Sequence, residues 1–308
     1  MKTFIFSALA LGMMASCSNT EVEGIDVVDN GEPVAIQLSA GVQTNVVAGL
    51  SRAAITGDAT FKATVLAWET ATPNFATDPT WQVGTSDIKA SGETPTLTLD
   101  ENKYYLADGT STSMKAFYVE NATVDDTHKY IYNFANTDGQ KDVLITADAV
   151  SGTKASTTPV KFAFTHPLMQ LKFKLIAGKG FPNGKTITNL KVNGVKLPIG
   201  VDMSTSTVLY TTAAQNISVP ESDNKVIDGS IVGNPIMVEP ISKGEFTIDV
   251  SANGKDYTGI SVNLNGISES VSGAGVAYTV ELTFQEKMSA SATVSDWADN
   301  GTGSGTVE

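Results

Sequence analysis

One cysteine and two histidines are all that 308 residues offer of the side chains that build zinc sites. That count excludes a recognisable structural zinc site and any disulfide within the chain, so stability must come from packing. His128 stands in the polar stretch Asp125-Asp126-Thr127-His128-Lys129 and reads as a solvated turn residue. His166 lies on an apolar stretch beside Pro167 and reads as a hydrogen-bonded core histidine. No G-x-S-x-G elbow, P-loop or dinucleotide fingerprint occurs. Acidic pairs such as Asp125-Asp126 lack the spacing of a calcium loop. The sequence therefore argues against an enzyme and for no metal or cofactor. Positive charge is also short: the formal net charge is −13, which argues against nucleic acid as a partner, since phosphate contacts need clustered Lys and Arg. Sustained helical periodicity is missing as well.

Long apolar runs are lacking too. The longest, Phe4 to Ala15, is twelve residues, too short for the ~20 that span a bilayer but suited to the h-region of an export signal. It closes on Met14-Ala15-Ser16-Cys17, which resembles a bacterial lipobox, so residues 1–16 are expected to be a lipoprotein signal and Cys17 the diacylated anchor to outer-membrane lipid. Residues 18–32 are polar and acidic and read as a tether.

Arginine is the last scarcity: Arg52 is the only one among 20 basic residues. It sits in Leu50-Ser51-Arg52-Ala53-Ala54, small residues that suit an exposed, cleavable loop. Just before it, Val34, Ile36, Leu38, Ala40 and Val42 alternate with smaller or more polar residues, the period of a half-buried strand. A strand is thus followed by a unique site for an arginine-specific or trypsin-like protease.

What is plentiful is β-forming. Hydrophobic residues make up 41% of the chain, enough for real cores, and strand-like segments recur at short intervals. In the first half they are 61–68, 81–83, 96–99, 114–119, 130–134, 142–146 and a long one over 160–176, whose inward phase changes across Pro167 as at a bulge or corner. The three glycines and one proline of 177–185 predict a boundary. The second half offers 186–192, 207–210, 217–219, 226–232, 235–238, 246–250, 257–264 and 277–284, the last with Tyr278, Val280, Leu282 and Phe284 on one face. The expected fold is all-β: a signal (1–16), a tether and removable strand (17–52), and two β-sandwiches over 53–176 and 177–308.

In order along the chain, the lipobox at Cys17, the strand before Arg52-Ala53, Phe162 to Leu168 running on to Leu175, Tyr278 to Phe284 and the closing Val294-Ser295-Asp296-Trp297 resemble the fimbrillin family, the subunits of type V pili in Gram-negative anaerobes. The resemblance implies two transthyretin-like β-sandwiches in a lipoprotein precursor. It implies that a surface protease cuts after Arg52 and frees Val34–Val42. The groove left behind accepts a strand from the C-terminus of another pilus subunit, here Met288, Ala290, Ala292 and Val294 in the tail. Assembled fimbriae at the cell surface would then serve adhesion to a host or bacterial target. The tail's apolar face is smaller than the leaving face, which leaves a stalk subunit and a tip or accessory subunit both open. The alternative is a surface lipoprotein that binds glycan without polymerising, although its three tryptophans are scattered.

Overall fold

Alternation of apolar and polar residues makes strands wherever one face can be buried, and the computed structural model contains twenty-one of them and no helix among the residues it describes, 32–42, 59–241, 245–264 and 274–285. In chain order the first twelve are β1 (Leu38–Val42), β2 (Thr60–Phe61), β3 (Thr64–Trp68), β4 (Trp81–Gly84), β5 (Ile88–Lys89), β6 (Glu93–Leu97), β7 (Thr112–Val119), β8 (Thr123–Val124), β9 (Ile131–Asn133), β10 (Val143–Thr146), β11 (Val150–Gly152) and β12 (Val160–Thr165). The others are β13 (Met169–Ala177), β14 (Ile187–Val195), β15 (Pro198–Asp202), β16 (Thr207–Tyr210), β17 (Gln215–Ser218), β18 (Ile231–Val238), β19 (Glu245–Ala252), β20 (Lys255–Asn263) and β21 (Ala277–Phe284). All described residues from Pro33 onward belong to one compact unit.

The first core lies within an eight-stranded sheet in the order β4-β3-β7-β10-β12-β1-β6, with β11 also on β7. Val83 and Leu97, from opposite ends of that order, share one apolar cluster, so the sheet curls around its own contents. Phe162 and Phe164 of β12 and Met114 and Ala116 of β7 fill it.

The second core is a sandwich. Sheet β18-β13-β21 packs on sheet β17-β14-β19-β20. In β21 the alternation predicts the outcome: Tyr278, Val280, Leu282 and Phe284 are buried while Thr279, Glu281 and Thr283 are exposed.

A third layer was not legible in the sequence. β9, from the first half, pairs antiparallel with β15, from the second, in a sheet of order β16-β15-β9-β8. That sheet covers the outer face of the large one, where Leu66, Trp68, Phe117, Val143 and Ile145 meet Tyr132, Val201, Met203 and Val208. β3, β7 and β10 are consequently buried on both faces, which explains why their sequences lack clean alternation. Lys115 of β7 is caught on this side. Its ammonium donates to Met203 O at 2.8 Å and Ser206 Oγ at 2.6 Å, and Ser206 Oγ donates in turn to Thr146 O at 3.0 Å. Burial holds the Lys115 pKa below its usual value, with Asp148 and Asp202 pulling the other way.

The segment expected as one long strand over 160–176 is two strands in different sheets. β12 serves the first core, Leu168 the middle layer and β13 the second core. Pro167 sits at the turn, where a ladder donor is missing anyway. The chain therefore changes core at 166–168, ahead of the break expected at 177–185. That later stretch is a connection between β13 and β14, with Phe181 buried in the second core.

Candidate functional site

Strand β1 is held on both edges. It runs parallel to β12, with Leu38 opposite Val160, Ala40 opposite Phe162 and Val42 opposite Phe164. On the other side it runs antiparallel to β6, with Leu38 opposite Leu97 and Ala40 opposite Thr94, across a register shift. The chain just before β1 is pinned as well: Ile36 N donates to Lys103 O at 2.9 Å, Tyr105 N to Val34 O at 3.0 Å and Val160 N to Gln37 O at 2.9 Å. β1 is thus an interior strand whose sheet neighbours lie far away in sequence.

Its inward face follows the predicted alternation. Ile36, Leu38 and Ala40 are 8%, 1% and 0% exposed, whereas Val34 and Val42 are half-buried. Two buried side chains, Ile36 and Leu38, and two half-buried ones, Val34 and Val42, supply roughly 5–9 kcal/mol of burial at ~1.5–3 for each fully buried one. Phe61, Leu97, Tyr105, Phe162 and Phe164 line the same core, and the Phe61 and Phe164 rings meet edge-on at 5.4 Å.

A cavity of about 420 Å³ lies beside Ile36 and Leu38, bounded by Leu97, Leu99, Asn102, Lys103 and Pro159. It exists because the chain leaves β1 after Leu97. There Ser86 N donates to Thr98 O and Asp100 N to Gly84 O, before Lys103 returns to Ile36. On the outward face, the exposed ion pair of Lys161 and Glu93 links β12 to β6 over Gly41, the glycine at which an added Cβ would lie 3.7–3.8 Å from those side chains. Exposed pairs of this kind contribute ~0–1 kcal/mol.

Of the other residues singled out in the sequence, Cys17, Arg52, Ala53, Met288, Ala290, Ala292 and Val294 lie outside the described residues. His166 is nearly buried, with Nδ1 3.4 Å from Asp142 Oδ1 at the turn between cores. His128 is about half exposed, its Nδ1 3.9 Å from Asp125 Oδ1. Among the described residues no three His, Cys, Asp or Glu side chains gather as metal ligands would. A second groove, of about 930 Å³, opens between β20 and β21, each the last strand of its sheet, with Tyr257, Ile260, Val262, Tyr278 and Phe284 in its walls. Sequence reasoning missed β15, and although strands were expected at 96–99 and 160–176 it did not show that β6 and β12 clasp β1, because alternation reveals a buried face without naming its partner.

A family model described as fimbrillin-like matches residues 51–297, most of the chain. The chain belongs to the fimbrillin-like family. Among solved structures, a candidate cell adhesion protein from Bacteroides uniformis matches with a TM-score of 0.56 at 15% identity, over 82% of this chain and 94% of that one. A second from Bacteroides ovatus gives a TM-score of 0.49 at 15% identity, covering 82% and 93%. A fimbrial assembly protein from Parabacteroides distasonis gives 0.45 at 10% identity, covering 81% and 92%. These likenesses concern the fold. No curated protein matches the chain. Membership of this family is that of a pilus or adhesin subunit at the cell surface, structural or adhesive rather than enzymatic.

Proposed function

We propose that this fimbrillin-like chain is exported as a lipoprotein anchored through Cys17, cut after Arg52, and built into a fimbrium by strand exchange at the site of β1. The observation that carries the reading is the position of β1: an interior strand, apolar face inward, joined to the rest of the chain through the residues that hold the only arginine. While that link is intact, β1 is tethered at high effective concentration and no rival strand competes. Once the link is cut, the strand can leave. Its departure bares two ladder edges and an apolar groove, which another subunit's strand fills by β-augmentation. The family match begins at residue 51, beside the proposed cut, and this agrees with a mature chain that starts at Ala53. Arg52 being unique fits one maturation cut that spares both cores. The assembled fimbrium would present the chain for adhesion to a host or bacterial target.

Arg52→Ala tests this. Treated with an arginine-specific protease, the native chain should give a ladder of multimers on a denaturing gel without boiling, while the variant should stay full-length and monomeric. Equal ladders from both would overturn the proposal.

A further inference from the structure

We infer that the open side of the second sandwich is the seat of this chain's own C-terminal tail: residues 288–294 run back along the free edge of β21, with Met288, Ala290, Ala292 and Val294 turned toward β20. The inference concerns the chain before Arg52 is cut and does not depend on the strand-exchange reading.

The seat is the groove of about 930 Å³ where the last strand of each sheet meets solvent. β21 pairs with β13 along one edge and β20 with β19 along one edge. Among the described residues no strand pairs with the other edge of either. Edges of that kind take up a further strand, through the ladder groups they present. The inward side chains of β20 point the same way. Tyr257, Ile260 and Val262 pack against the second core yet are only half-buried. Ile217 of β17 and Val232 of β18, at the opposite ends of the same two sheets, are buried. Interiors are close-packed, and this core has room for one more strand on the β20–β21 side alone.

The occupant is argued from where the chain goes next. Phe284 and Gln285 stand in the groove's wall, so residues 286–308 set out from within it. Consecutive strands joined by a short connection pair antiparallel as neighbours. In 288–294, Met288, Ala290, Ala292 and Val294 alternate with Ser289, Ser291 and Thr293. β21 has the same division, with Tyr278, Val280, Leu282 and Phe284 inward and Thr279, Glu281 and Thr283 outward. A three-residue connection from Gln285 to Lys287 sets Met288 opposite Phe284, and the apolar side chains of both strands then share one face. A connection one residue longer or shorter would turn the serines inward. A separate observation sets the extent of the strand. The family match continues past β21 and ends at Trp297, so it takes in 288–294 and leaves out the Gly-rich end. A tail seated here is not available to another subunit, and any assembly through the tail requires that this groove open first.

Amide hydrogen exchange of the uncut, full-length chain tests this. Residues 277–284 and 288–294 should both exchange slowly, and to the same degree at every chain concentration. Deleting 286–308 should speed exchange over 277–284 by ~10-fold or more while leaving 38–42 and 160–165 in the first core unchanged. Ala292→Asp, which turns a carboxylate toward β20, should release 277–284 and 288–294 together. Ser291→Asp, on the outward face, should release neither, and these two variants decide the matter if the shortened chain does not fold. Slow exchange over 277–284 that survives both the deletion and Ala292→Asp would overturn the tail as occupant. Equal effects of Ala292→Asp and Ser291→Asp would overturn its facing. Protection of 288–294 that is lost on dilution would place the tail of a second copy in the groove and overturn the seat within one chain. Because Arg52 stays uncut throughout, none of these outcomes bears on cleavage or on exchange at β1.

Discussion

β1 and β21 both lie parallel to a strand distant in sequence, β12 and β13 respectively, and both bury one alternating face. They differ in how they are held. Among the described residues β21 has one neighbour in its sheet, an unbroken register of eight pairs and four large inward side chains. β1 has two neighbours, a register shift against one of them, a cavity beside Ile36, and inward side chains that range from isoleucine to alanine. The strand proposed to leave is thus not the more loosely placed. Held on both edges, it opens more sheet when it goes than an edge strand could. What sets it apart is connectivity: its link to the rest holds Arg52, the proposed cut site.

Substitutions can break or sharpen this contrast. Leu38→Asp in the intact chain should have the largest effect, since the carboxylate would sit at a place 1% exposed. A loss above ~4 kcal/mol is expected, seen as a chain without cooperative thermal unfolding. Phe284→Ala in β21 removes a ring that meets Phe181 at 5.3 Å and Tyr257 at 5.7 Å and should cost ~3–5 kcal/mol. It should leave the multimer ladder formed after arginine-specific cleavage unchanged. Loss of that ladder would show that the two strands' cores act together, and the contrast would fail.

Alkali should act more gently, and mostly on the first core and the middle layer. Burial raises the hydroxyl pKa of Tyr105 and Tyr118 beside the first core, of Tyr132 and Tyr210 in the middle layer, and of Tyr278 in β21. Each folded tyrosine keeps a proton that the unfolded chain gives up near pH ~10. Their stabilisation is therefore intact below that pH and is lost as pH rises toward the folded values. Lys115 and Lys172, whose pKa burial lowers, oppose this over part of the range. The melting temperature should fall above pH ~10, and Tyr210→Phe should blunt the fall. A flat or rising profile would contradict this assignment.

How far the sequence reached is clearest in the same two strands. The alternation of Val34 to Val42 and of Tyr278 to Phe284 was legible because each buries one face only, the condition under which period 2 survives in a sequence. β7 was legible as a strand but not in its setting. Met114 and Ala116 face the first core while Phe117 and Val119 face the middle layer, so polarity alternates on neither side. Pairing was not legible at all. That β1 lies between β12 and β6, or that β9 joins β15 across the halves, depends on long-range packing that no local pattern encodes. The phase change at Pro167 was visible, but a kink within one strand and a passage between cores leave the same local trace. Of the candidate site, the phase of β1 was legible, with Ile36, Leu38 and Ala40 buried, while its place between β12 and β6 was not.

Mass spectrometry of fimbriae or protease-generated multimers tests the central claim most directly. If β1 leaves when subunits join, the assembled subunit has a mass that begins at Ala53, and no peptide from residues 33–42 accompanies the polymer. Multimers in which residues 33–42 remain, whether covalently or as a bound fragment in equal amount to the subunit, would contradict the account.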